Sequence, residues 1–194
     1  MERRKEEKIL WINSNNQELF YSLNGTATYT ASTNNFYYNI GNILYEDNYK
    51  KLSVELIDCA ISKNYHTFAI GTTTNNTYAP IPFYTSIIKV YINFNVSSNS
   101  VYNNNNSNGL LMGLIPTNNV NVRLGTTEAL NNYYYSGLGS AKLESENKIK
   151  YYLKNIPSGI ININIYNELN NVLLDYENNP PSNVLLCLKF TYEY

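Results

Sequence analysis

Apolar residues recur at every second position over long stretches of this chain. From Ser86 to Val96, the residues Ile88, Val90, Ile92, Phe94 and Val96 fall on one side of an extended backbone, and Lys89, Tyr91, Asn93 and Asn95 on the other. Successive strand side chains point to opposite faces, so the spacing predicts a strand with one face on a core. The C-terminal run does the same, with Leu186, Leu188, Phe190, Tyr192 and Tyr194 alternating with Cys187, Lys189, Thr191 and Glu193. So does IININIY, where Ile161, Ile163 and Ile165 alternate with Asn162 and Asn164. In KLSVELIDCAI the alternation runs Leu52, Val54, Leu56 and then changes phase to Ile57, Cys59, Ile61. A phase change inside one apolar run predicts a β-bulge near Leu56 and Ile57.

Weaker alternation predicts further strands at Phe36–Tyr45, His66–Gly71, Leu110–Ile115, Val120–Leu124 and Ile149–Leu153. Asn24-Gly25 predicts a hairpin between Leu19–Leu23 and Thr26–Thr30, because both turn residues tolerate the positive φ of a type I′ turn. Turn-rich pieces such as TTTNNTYAPIP, SSNSVYNNNNSNG, NIPSG and ENNPPSN separate these runs. Only Thr126–Leu130 and Ala141–Asn147 are candidates for short helices. Many short strands with long loops predict an all-β chain with very little helix: one β-sandwich of two antiparallel sheets, of Greek-key or jelly-roll type. The domain is expected over residues 16–194, behind an N-terminal arm at 1–15 whose charged head, MERRKEEK, is expected to be mobile or partner-bound.

Composition narrows the functions. At 194 residues the chain suits one well-buried domain. The formal net charge is −1, and charged residues make up 15%, against roughly 25% in typical domains. Asn fills the polar positions, with 35 of 194 residues, and Tyr adds 20; A/T-rich codons account for much of this bias. The cations look scattered along the chain, so no basic groove for nucleic acid is expected. The charged N-terminus is followed by no apolar run of a secretory leader, and no stretch approaches the ~20 apolar residues of a membrane helix. A soluble protein made inside the cell is expected.

Catalytic chemistry has little to stand on. His66 is the single histidine, so no His-rich metal site can form; a Ser-His-Asp or Cys-His arrangement would have to use it, yet no strand-turn-helix elbow or Cys signature surrounds a Ser or Cys. Gly137 and Gly139 lack the Lys-Ser/Thr of a phosphate loop. Glu55 and Asp58 are the pair a hydrolase would have to use. Cys59 and Cys187 sit in apolar runs outside any metal spacing and are expected as buried free thiols. No enzyme activity, cofactor or metal is expected. The tyrosines are more informative. Tyr37–Tyr38, Tyr133–Tyr134–Tyr135 and Tyr151–Tyr152 are adjacent rings that an extended backbone places on both faces. One ring of each run can serve the core. The outward ones suit an interface, because Tyr buries a large area with few rotors and a polar tip. All seven are candidate interface residues.

The passage FYYNIGNILYEDNYKKLSVELIDCAI (residues 36–61), followed by NYHTF, resembles the opening strands of single jelly-roll capsid proteins: the penton and minor capsid proteins of virophages, polinton-like viruses and large DNA viruses of protists. The ending, IPSGIININIYNELNNVLLDYENNPPSNVLLCLKFTYEY, is similar to their last strands. The resemblance implies two four-stranded sheets packed face to face, no catalytic residues, and a virion component made in the host cytoplasm. It implies homo-oligomers, with pentamers at the capsid vertices as the leading expectation, and the major capsid protein as a partner. No specific nucleic acid and no membrane span are implied. The alternatives are a minor capsid or cement protein forming trimers beneath the major shell, and a lectin-like module whose exposed Tyr and Asn side chains bind carbohydrate.

Overall fold

The computed structural model describes residues 4–16, 32–69, 76–80, 83, 85–96, 109–117, 140–142 and 149–194. The strands among them are β1 (Lys5–Asn13), β2 (Asn35–Gly41), β3 (Lys51–Ser62), β4 (Tyr65–Ala69), β5 (Asn76–Pro80), β6 (Ile87–Asn93), β7 (Leu110–Pro116), β8 (Ser140–Lys142), β9 (Lys150–Leu153), β10 (Gly159–Tyr166) and β11 (Asn183–Glu193). One 3-10 turn, Ser14–Asn16, is the only helical element among the described residues.

Each long run of alternating apolar residues becomes a strand, and each finds its partner far away in sequence. Antiparallel pairing joins β1 to β11, β2 to β10, β3 to β9 and β6 to β7, a nested set in which the ends of the chain pair outermost. Further pairings of β11 with β3 and of β10 with β6 assemble two sheets. The first has the order β1-β11-β3, with β8 and β9 sharing the far edge of β3; the second has the order β2-β10-β6-β7. Both are antiparallel and four strands wide. A long hairpin rolled up in this nested way is the single jelly roll. The β4–β5 hairpin lies outside both sheets.

The core fills the space between the sheets. Leu52, Val54, Leu56, Cys59 and Ile61 of β3 and Val184, Leu186, Leu188, Phe190 and Tyr192 of β11 face Ile88, Val90 and Ile92 of β6 and Ile161, Ile163 and Ile165 of β10. Phe94 meets Phe190 edge-on across the layers, with ring centroids 6.0 Å apart. The phase change in β3 is a bulge. Leu56 lies opposite Leu188 and Asp58 opposite Cys187, so Ile57 is left without a partner. This extra residue keeps both halves of β3 facing inward. Gly109 (φ +102) is needed where β7 begins, since a Cβ there would meet the Ile92 carbonyl oxygen at 2.4 Å.

On the outer side of the second sheet, neutral amides take the place of ion pairs. Asn162 donates to the Asn35 side-chain oxygen at 3.1 Å, and Asn164 donates to Asn162 at 2.5 Å. Tyr192 carries a polar link inside the core. Fully buried, it donates its hydroxyl to the Leu44 carbonyl at 2.5 Å, and its ring packs edge-on against Tyr49. Tyr192→Phe strands that buried carbonyl, so denaturant titration is expected to show a loss of about 1–2 kcal/mol with an unchanged m-value.

Three expectations are corrected. Residues 5–13 are not an arm but a full edge strand, because KILWIN alternates Leu10 and Ile12 into the core while the charged KEEK part suits a solvent-facing edge. The piece 72–82, expected as loop, contains β5, which gains ladder bonds by pairing with β4. Ala141 and Lys142, expected to open a helix, belong to β8 because β3 offers them an open edge. The hairpin at 19–30, the strand at 120–124 and the helix at 126–130 lie outside the described residues.

Candidate functional site

Strand geometry sorts the candidate tyrosines. On β2, Phe36 and Ile40 are buried in the core, and Tyr38 lies on the same side and packs against them; Tyr37 falls on the opposite face with Asn35 and Asn39. On β9, Tyr151 turns inward, buried, and donates its hydroxyl to the Leu111 carbonyl of the opposite sheet at 2.7 Å. Tyr151 is therefore corrected from interface candidate to core residue: it ties the layers together. Tyr152 points outward and is 43% exposed. Tyr133, Tyr134 and Tyr135 lie outside the described residues.

A further apolar surface lies on the edge strand β1, away from the candidate tyrosines. KILWIN places apolar side chains on both faces of β1, so Ile9 and Trp11 stand on the outer face at about half exposure, 50% and 52%. Their ladder partners on β11 are Lys189 and Cys187, and half-buried Leu185 lies one position further along the same face. Across β11, the outward face of β3 presents Glu55 and Asp58. Four consecutive apolar residues in an extended strand must put two on each side. That signal is present in the sequence, next to a charged head that reads as a solvated arm. Among the described residues no strand pairs with the other edge of β1.

Glu55 and Asp58 share this face only because of the bulge at Ile57, since residues three apart on a regular strand point opposite ways. Their surroundings are those of structural charges. The Lys189 ammonium sits between Glu55 at 2.5 Å and Glu7 at 3.6 Å, and the hydrogen bond to Glu55 holds its pKa above the ordinary lysine value. Asp58 stands beside Cys187. Cys59 and Cys187 are both free and buried, on opposite faces of the first sheet, and burial raises both thiol pKa values. Such thiols are poor nucleophiles at neutral pH. His66 lies on β4, opposite Ala79. Among the described residues no three His, Cys, Asp or Glu side chains come together as a metal site would need, and no helix is long and apolar enough to cross a membrane.

The charged end of β1 is tied down. Lys8 forms an ion pair with Glu46 at 2.8 Å, donates to the Tyr45 carbonyl at 2.6 Å and lies over the Tyr192 ring. Hydrogen bonding to Lys8 holds the Glu46 carboxyl below its ordinary pKa. The loop between β2 and β3 is thereby clamped to the edge strand, and Ile43 and Tyr45 remain exposed at its tip.

The chain was compared with protein-family models, with curated proteins and with solved structures, and nothing matching it was found.

Proposed function

We propose that this chain is a non-catalytic structural component of a virion, the penton that forms rings of five at capsid vertices in contact with the major capsid protein. The observation that carries the reading is the nested jelly roll with an apolar, half-exposed outer face, Ile9 and Trp11, on its edge strand. Jelly rolls of this size are recurrent shell-building units. An exposed Trp beside apolar neighbours on a strand edge is the kind of surface that association buries. The charge balance agrees with this: a net charge of −1 gives subunits little mutual repulsion.

Mass photometry of the purified chain tests the proposal. The expected species is a particle five times the 22.3 kDa chain. The Ile9→Glu/Trp11→Glu variant is expected to stay folded by circular dichroism while shifting to monomer. A dominant trimer would favour a minor capsid protein beneath the shell. A stable monomer that binds a glycan array would favour the lectin-like reading and end this one.

A further inference from the structure

Sequence order scatters the lysines, but the fold gathers some of them. Where β3 begins and β9 ends, Lys50, Lys51 and Lys154 line a groove of about 340 Å³ together with Tyr49, Leu52, Tyr152 and Leu153. A second depression of about 230 Å³ shares Lys50 and Lys51 with it and is lined also by Glu193 and Tyr194. All three lysines are exposed and, among the described residues, none has an ion-pair partner. On the same sheet Lys8 is matched by Glu46, and Lys189 by Glu55 and Glu7. Lys150 lies over the Tyr152 ring at 5.9 Å, one further positive charge at the aromatic wall. Three cations therefore line the larger depression, which no carboxylate among the described residues lines. Lys150 stands beside its aromatic wall and opposite Glu55, and Glu193, opposite Lys51 across the strands, belongs to the second depression.

We propose that this groove binds single-stranded nucleic acid without sequence preference, with Lys50, Lys51 and Lys154 on successive phosphates and the Tyr152 ring as a stacking face for a base. Two features select this occupant. Lys50 and Lys51 line both depressions, so the ammonium groups are spread over more than one hollow of the surface, which suits a chain of phosphates better than a single small anion. The larger depression offers ammonium groups and phenol rings but no Asn, Asp, Gln or Glu, in a chain that is about 18% Asn, and the second adds one carboxylate, Glu193. A sugar site needs such amides and carboxylates to read hydroxyls, whereas a nucleic-acid strand needs point charges for its phosphates and aromatic faces for its bases. The cations are dispersed along the sequence, and the pairing of β3 with β9 undoes that dispersal.

The inference concerns the single chain and stands apart from the assembly reading. The test is fluorescence anisotropy with a labelled oligothymidylate, run on the wild type and on the Ile9→Glu/Trp11→Glu variant, so that failure to assemble and failure to bind are read separately. Binding is expected at low salt, with log K falling against log salt at a slope of about −2, for three phosphate contacts on a single strand. Lys50→Glu/Lys51→Glu/Lys154→Glu is expected to abolish binding. Tyr152→Ala is expected to weaken it by about 10-fold through lost stacking, with the fold unchanged by circular dichroism. No binding at low salt would overturn the inference, as would binding indifferent to the lysine reversal. Competition by poly-glutamate together with indifference to Tyr152→Ala would also overturn it, and would assign the groove to an acidic polypeptide.

Discussion

Ile92→Asp is expected to abolish soluble folding. Ile92 is fully buried on β6, an inner strand of the second sheet, with its side chain between the layers. Among the described residues, the core positions of β3 and β11 that face the second sheet are Leu, Val, Cys, Ile, Phe and Tyr, none of which can neutralise a carboxylate. An unpaired carboxylate there must either ionise in an apolar medium or take up a proton, and each route costs several kcal/mol. That is comparable with the whole stability of a typical domain, about 5–15 kcal/mol. The measurement is the soluble fraction on expression, then guanidinium titration of whatever is recovered. Ile92→Ala is expected to fold and to lose about 2–5 kcal/mol through the cavity it leaves. Asn93→Asp, one residue along and facing outward, is expected to cost less than about 0.5 kcal/mol. Cooperative folding of Ile92→Asp would contradict the inward face assigned to β6.

Removal of residues 1–13 is expected to be nearly as severe. The deletion takes Leu10 and Ile12 out of the core, each worth about 2–5 kcal/mol by analogy with large-to-small core substitutions. It also removes nine paired positions along β11 and exposes that strand as a new apolar edge, an aggregation hazard. Removing only residues 1–4 leaves β1 whole and is expected to cost under about 1 kcal/mol. A deletion through residue 8 is intermediate, because it takes away the Lys8 clamp on the loop between β2 and β3 but leaves both core side chains in place. Thermal melts of the three truncations separate an edge strand from a dispensable arm. Equal melting temperatures would restore the arm.

Legibility followed the strength of the alternation. The runs around Ile88–Phe94, Ile161–Ile165 and Val184–Tyr192 appear as β6, β10 and β11 with the expected faces inward, because a period of two with one apolar side has a single way to bury itself. The bulge was readable for the same reason, since the phase change at Leu56–Ile57 has no other low-cost solution in a buried strand. Adjacent tyrosines were harder. The sequence shows that one ring of each run must point out, but not which one, and Tyr151 proved to be the inward member of its pair. The charged head of β1 misled because four charged residues at an exposed edge read like a solvated tail.

Local sequence thus determined that the chain is built of strands, which residues of each strong strand face inward, and where β3 breaks step. These follow from the backbone's two-residue repeat and the cost of leaving apolar side chains in water. Partnership was decided only by the tertiary structure. The pairing of β1 with β11 makes an edge strand of an apparent arm, and the pairing of β3 with β9 brings Lys50 and Lys51 beside Lys154 and Tyr152. Charges roughly a hundred residues apart have no local signature. Their field exists only once backbone hydrogen bonds between distant strands have set them side by side.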